Sequence, residues 1–245
     1  MNFKFFIISI ISILITSGLV GSAFAQQIVL LEQQEFTQEE IDKMRNTAVL
    51  ITTHEGTFTI ELYPEDAPNT VHNFLKLVES GYYDGMIFHR IIPNFMIQVG
   101  DPNTKDPESD RSLWGTGGPG YRIHEEFNTL QHDRGAVSMA RSSHVDSAGS
   151  QFFIVHKDSN FLDGQYTVFG RLVPGTHSLN ALDIIANLAV DGEAPANTKS
   201  ATIKKATAIH PFFTSGLGEL DRNQSIIRER EILAGAVLSL SLIHI

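Results

Sequence analysis

Residues Phe88 to Pro102, FHRIIPNFMIQVGDP, place one fixed positive charge among large apolar side chains on two short runs of strand character. Ile91, Ile92, Phe95, Met96, Ile97 and Val99 read as buried strand, and Pro93-Asn94 supplies the turn that lets the chain double back. Strand alternation sets His89 and Ile91 on the face opposite Arg90 and Ile92, and sets Met96 and Gln98 opposite Phe95, Ile97 and Val99. A guanidinium in such company is either a salt-bridged sheet residue or a functional group.

The β-rich pattern recurs along the chain. Thr47 to Thr53 and Thr57 to Tyr63, joined across His54-Glu55-Gly56, predict a hairpin. Further strands are expected at Met86 to Ile92, Phe95 to Val99, Gly135 to Ala140, Gln151 to His156, Thr167 to Val173 and Ala201 to His210. Pro68 precedes Asn69 to Ser80, where Val71, Phe74, Leu75 and Val78 follow helical spacing and Gly81 ends the run. A second helix is expected over about Ser178 to Leu188, with Leu179, Leu182, Ile185 and Ala186 on one side. Upstream, Thr37 as N-cap, Glu40 three residues on, and Phe36 against Ile41 have the form of a short helix start, running to about Arg45. On pattern alone, eight strands and two helices suit an antiparallel barrel with covered ends or, equally, a sandwich.

Several chemistries find little support. The net charge of −10 argues against general binding to nucleic acid or anionic lipid. With no cysteine, a disulfide framework, a thiolate nucleophile and a thiolate metal site are all impossible. Gly115 to Gly120 fits G-x-G-x-x-G, but with Pro119 inside it and no helix opening from it the stretch reads as a demanding turn, not a dinucleotide site. Asp101 to Asp106 starts like a calcium loop and then places Lys105 and Asp106 where a ligand and a glycine are needed, so it reads as an acidic, solvated loop. Ten histidines form no HExxH or close pair, so no metal is expected. Ser138, Ser150, Asp163 and the histidines do not assemble into a hydrolase from sequence, since G-x-S-x-G is absent.

The ends differ from the middle. Lys4, the apolar run Phe5 to Val20 and small residues up to Ala25 read as a secretory signal over residues 1–25, with an uncleaved anchor as the alternative. Residues 26–46 then form a linker with the short helix. After the charged run Arg228 to Glu231, Ile232 to Ile245 is almost wholly apolar, so residues 211–245 read as a tail resembling the start of a membrane helix cut short. Its last residues, Leu240 to Ile245, match a translated sequencing-library adapter. The expectation is an exported, extracytoplasmic domain, anchored if an end segment holds it in the membrane.

The FHRIIPNFMIQVGDP string resembles the central signature of the cyclophilin-type peptidyl-prolyl isomerases. The likeness continues in order through GTFTIELYPEDAPNTVHNFLKLVESGYYDGMIFHR, GTGGPGYRIHEEF, GAVSMAR, SQFFIVH and FLDGQYTVFGRL, and covers roughly residues 47 to 210. It implies a mainly β fold, a closed eight-stranded antiparallel barrel capped by two α-helices. It also implies rotation about X-Pro bonds in proline-containing polypeptides, without cofactor, by a domain expected to be monomeric and to assist folding of exported proteins. The alternative is a proline-binding or holdase module on the same scaffold.

Residue by residue, Arg90 matches the catalytic arginine, with Gln98 and Phe95 beside it. Phe95, Met96, Phe153 and Leu162 match the socket for the proline ring, and Gln98, Ala140, Arg141 and Gln151 the adjoining groove. Phe161 and Tyr166 match two further lining positions; Phe161 is of the bacterial type and implies weak cyclosporin binding. Gln98 is expected to hold the Arg90 fork. Asn94 and Val99 stand where many members carry Gly, which bears on substrate preference.

Overall fold

The structure, a computed structural model, describes residues 28–106 and 108–210. The leader expected at 1–25 and the tail expected at 211–245 lie outside the described residues. Within them no helix is long and apolar enough to cross a membrane.

The chain opens with the two-residue strand β1 (Val29–Leu30), helix α1 (Gln38–Arg45), and strands β2 (Ala48–Thr53) and β3 (Thr57–Leu62). Helix α2 (Pro68–Glu79) is followed by β4 (Arg90–Ile92), β5 (Met96–Val99), β6 (Tyr121–Arg122), β7 (Ala136–Met139), β8 (Phe152–Val155) and β9 (Val168–Leu172). Helix α3 (Ser178–Ala186), the short strands β10 (Val190–Asp191) and β11 (Ala194–Pro195), and β12 (Ile203–Ile209) complete the set. Eight strands form one curled sheet in the order β12-β2-β3-β9-β7-β8-β5-β4, and every pairing within it is antiparallel.

One expectation needs correction. The sheet does not close: its ladder ends at β4 on one side and β12 on the other. The chain returning from α3 sets the β10–β11 hairpin against β4, where the Ile91 amide donates to the Glu193 carbonyl at 2.8 Å. β12 therefore meets only the irregular stretch before β4, through one bridge between Ile87 and Thr202 and amide bonds joining Gly85, Met86 and Phe88 to Ala201 and Ile203. Among the described residues the two helices expected to cover the sheet form as α2 and α3, and the short helix expected after Thr37 forms as α1 with its capping box intact.

Alternation divides the sheet by face. Val49, Ile51, Phe58, Ile60, Ile91, Ile97, Val99, Val137, Phe152 and Ile154 turn inward and join the buried faces of α2 and α3 in one apolar core. The hairpin under α3 requires glycine: a Cβ on Gly56, at φ +143°, would stand 2.9 Å from the Ala181 Cβ. Helix α2 begins after Ala67, which supplies no side-chain cap. The Glu126 carboxylate does so from a distant segment, accepting from the Asn69 and Thr70 amides at 3.0 and 2.7 Å. That contact ties residues 115–127, which border the site below, to the helix.

Candidate active site

The outward face of β4, β5, β8 and β7 carries a second, smaller apolar cluster built on Met96, Ala136, Phe153, Val155, Leu162 and Val168. Register aligns it: Arg90 pairs with Gln98, Gln98 with Phe153, and Phe153 with Ser138, so these side chains share one face. The β4–β5 turn is the expected Pro93-Asn94, with Asn94 in the left-handed region at φ +61°. The turn is fixed from below, because the Asn94 amide donates to His156 Nδ1 at 3.0 Å and the His156 amide to the Phe95 carbonyl at 2.8 Å.

Over this face lies a cavity of about 720 Å³ lined by Arg90, Phe95, Met96, Gln98, Ala140, Arg141, Phe153, Leu162 and Tyr166, with His89, Trp114 and Glu193 among its other walls. Every residue expected at the site is there except Gln151 and Phe161. Gln151 lines an adjoining cavity of about 390 Å³ that shares Gln98, Gly115, Thr116, Ala140 and Arg141 with the first. Phe161 stands 68% exposed on the rim, stacked on Phe95 with ring centroids 5.6 Å apart.

The polar groups are held, though not always by the expected partner. Arg90 is gripped by Glu193, with Nε donating to Oε2 at 2.5 Å and an Nη to Oε1 at 3.4 Å. Gln98 instead donates to Gln151 Oε1 at 2.8 Å, and Gln151 donates onward to the carbonyls of Gly115 and Gly117 at 2.9 and 2.8 Å. The Arg90 fork is thus fixed by a carboxylate from the β10–β11 turn, not by Gln98. Sequence reasoning missed Glu193, although Asp191-Gly192 is a hairpin signal and Gly192 does take a positive φ of 65°.

The glycine loop is organised by Asp101. This residue is fully buried, not solvated as expected, and its carboxylate accepts from the amides of Asn103, Gly115 and Gly117 at 2.8, 2.5 and 3.0 Å. A Cβ on Gly117 would stand 2.2 Å from Asp101 Oδ1, so that position excludes any side chain. Arg141 donates to the carbonyls of Gln165 and Ser142 and lies over the Tyr166 ring at 4.6 Å, which fixes the opposite wall.

Beneath Phe153 the fold assembles a group that sequence reasoning did not. His132 Nδ1 lies 2.8 Å from Asp163 Oδ1, and Nε2 lies 3.0 Å from Ser138 Oγ. Ser138 is fully buried, and its hydroxyl donates to the Thr167 carbonyl at 3.0 Å, so it has no access to a substrate. The arrangement instead supports the floor: the His132 ring stacks 6.0 Å from Phe153 and meets Tyr166 edge-on at 6.3 Å. His89 differs, being buried against the cavity with neither ring nitrogen bonded to a partner among the described residues.

Among the described residues one set of metal-type donors comes together: His124, Glu125 and Asp146 place ligand atoms within 4.8 Å of one another. Contact between the two carboxyl groups pushes Glu125 up and Asp146 down from the usual carboxylate range. None of the three lines either cavity.

Residues 48–208 match the family model described as cyclophilin type peptidyl-prolyl cis-trans isomerase/CLD. A peptidyl-prolyl cis-trans isomerase of Synechococcus elongatus is 45% identical over 125 residues, spanning 51% of this chain and 79% of the relative. Peptidyl-prolyl cis-trans isomerase B of Bacillus subtilis is 44% identical over 137 residues, spanning 54% and 89%. Against the longer peptidyl-prolyl cis-trans isomerase-like 2 of Cryptococcus neoformans, the chain spans only 30% of the relative. The crystal structure of a Cryptosporidium parvum cyclophilin type peptidyl-prolyl cis-trans isomerase in the presence of the dipeptide Ala-Pro superposes with a TM-score of 0.55 at 35% identity, covering 65% of this chain and 97% of that one.

Proposed function

The chain belongs to the cyclophilin-type peptidyl-prolyl cis-trans isomerase family, and on that premise we propose that Arg90 is its catalytic donor and that its substrates are exported proline-containing polypeptides. The observation that carries the first part is the shared cavity, in which one guanidinium borders the same hollow as Phe95, Met96, Phe153 and Leu162.

Rotation about an X-Pro bond must break amide conjugation, against a barrier of about 18–20 kcal/mol. No bond is cleaved, so a nucleophile is not needed; the site must tolerate the twisted amide better than either planar isomer. In the twisted form the prolyl nitrogen regains a lone pair, which a guanidinium N–H can meet and which the planar amide does not offer. Glu193 engages Nε and one terminal nitrogen of Arg90, which leaves further N–H groups for substrate. The apolar floor receives the proline ring and excludes water, strengthening that contact. Gln98, Gln151, Ala140 and Arg141 guide the flanking chain, with Tyr166 and the rim residue Phe161 bordering it.

Coupled kinetics on an Ala-Pro peptide test the assignment. Arg90→Ala is expected to lose about 10²–10³ in kcat/KM while remaining folded. Turnover near that of the wild type removes Arg90 from the mechanism, and tight peptide binding without acceleration favours the holdase reading.

Support for export is the leader-like sequence ending at Ala25, and for a monomer the net charge of −10, which opposes self-association. Recovery of the protein in the cytoplasm with an N-terminus at Met1 would remove the first, and sedimentation as a dimer the second.

A further inference from the structure

His156 lines neither cavity, yet its ring ties the β4–β5 turn to α3. It follows β8 directly and is 8% exposed. Its two bonds settle where its proton sits. The Asn94 amide, 3.0 Å from Nδ1, is a donor, so Nδ1 presents a lone pair; Asp183 Oδ1, 3.0 Å from Nε2, is an acceptor, so Nε2 carries the proton. Arg134 braces the far side, donating to the same Asp183 oxygen at 2.7 Å and to the His156 carbonyl at 2.8 Å. The ring is thus a neutral imidazole in one tautomer, with both nitrogens engaged.

What the ring holds is the most constrained point of the site. Asn94, at φ 61°, is the one non-glycine residue with a positive φ among the described residues, and such a conformation persists where its surroundings fix it. Phe95 follows at once: its amide donates to the Ile92 carbonyl at 3.0 Å, its carbonyl accepts from the His156 amide at 2.8 Å, and its ring borders the Arg90 cavity. The same turn joins the strand that starts at Arg90 to the strand that carries Met96 and Gln98.

A second proton on the ring would sit on Nδ1 and face the Asn94 N–H, donor against donor. The charged groups that face the ring are Asp183 from α3 and, bonded to it, Arg134 from the stretch before β7. Lys157 and Asp158 follow on the ring's own segment, with Asp158 accepting from the Arg134 amide at 2.8 Å, and the β4–β5 turn brings the uncharged Asn94 amide. A carboxylate binds an imidazolium more strongly than an imidazole, so the ring stays with Asp183 and the turn is what loses its hold.

We propose that His156 is a positioning residue of the proline socket and makes it sensitive to acid: the neutral ring fixes the Asn94 turn and with it the Phe95 wall, and the protonated ring releases them. This inference rests on the isomerase reading of the Arg90 cavity.

The test follows cis-trans exchange of a capped Ala-Pro peptide, free of ionisable side chains, by exchange spectroscopy with the full chain from about pH 8 to about pH 5, the span in which imidazoles change charge. The catalysed rate of the wild type is expected to fall about three- to tenfold across it, the scale of one lost hydrogen bond. His156→Ala is expected to start lower by about the same factor and to stay flat. His156→Asn, whose amide oxygen can accept from Asn94 without titrating, is expected to recover most of that loss and also stay flat. A flat wild-type profile, an equal fall in His156→Asn, or a fall that His89→Gln removes overturns the proposal. A second measurement needs no variant: in the wild type, nitrogen-15 resonances are expected to show the proton on Nε2 at neutral pH and the Asn94 amide shifting in step with titration of the His156 ring. A proton on Nδ1, or an Asn94 amide that does not move as the ring titrates, also overturns it. If the wild type accelerates exchange at no pH, the isomerase reading fails, and the hold of His156 on the turn is judged by the Asn94 resonance alone.

Discussion

Phe152 and Phe153 are neighbours on β8, yet they belong to different parts of the molecule. Phe152 turns inward, fully buried, with edge-on contacts to Phe74 and Tyr83 at 5.3 and 5.5 Å. Phe153 turns outward onto the floor of the Arg90 cavity, backed by His132 and Tyr166. One face of the sheet is thus filled by packing alone, while the other holds an apolar floor under polar groups that are each tied to a carbonyl or carboxylate. The inner face sets whether the chain folds, and the outer face sets what the folded chain does.

The contrast is sharpest under truncation of each ring. Phe152→Ala removes an aromatic from the centre of the core and is expected to cost about 3–5 kcal/mol of stability, read from denaturant midpoints at unchanged m-value. Turnover of whatever remains folded should be near that of the wild type. Phe153→Ala is expected to reverse the pattern, with a smaller loss of stability and about a ten- to hundredfold fall in kcat/KM as the floor under the substrate ring is lost. Equal stability losses with equal activity would erase the division between faces.

Most of the sheet was legible because its residues obey a period of two. All eight main strands were expected close to where they form, and helix spacing located α2 and α3. The missing closure was not legible, because it depends on where the β10–β11 hairpin docks, and two-residue strands leave no periodic trace. The residues around Arg90 were found through the likeness of several ordered blocks, since one cavity gathers side chains from β4, β5, β8 and the loops and turns between distant elements. Partners were harder than places. Gln98 was expected to hold Arg90, and the register does set the two opposite each other, but Gln151 and the glycine-loop carbonyls engage Gln98, and Glu193 arrives from 103 residues away.

That substitution of partners yields the next test of the outer face. Arg90 and Glu193 both keep substantial solvent contact, with side chains 39 and 53% exposed, so the pair is screened and worth about 0.2–1 kcal/mol. Glu193→Gln is accordingly expected to lower kcat/KM about two- to fivefold, with thermal stability little changed. Added salt should lower wild-type activity toward that of the variant while leaving the variant nearly flat. A variant with full activity and the same salt response would mean that the Arg90 fork is held by its own packing.

His89 is where the division between faces is least clean, and it carries the smallest expected effect. Its ring is buried beside the cavity, neither nitrogen has a partner among the described residues, and burial holds the imidazole below its ordinary pKa. The folded state therefore keeps the ring neutral at pH values where the unfolded chain has begun to bind a proton. Stability should be unaffected by this group above about pH 6.5 and should fall as the pH drops below it, levelling once the folded-state value is passed. His72, also lowered by burial, adds to the same window, whereas Asp163 and Asp183, both below the usual carboxylate range, act only in more acid solution. Denaturant midpoints measured from pH 7.5 to 5.5 should decline less steeply in His89→Gln than in the wild type. If the two slopes coincide, the buried ring accepts a proton without penalty, and water from the cavity must reach it; His89 would then belong to the solvated outer face despite its burial.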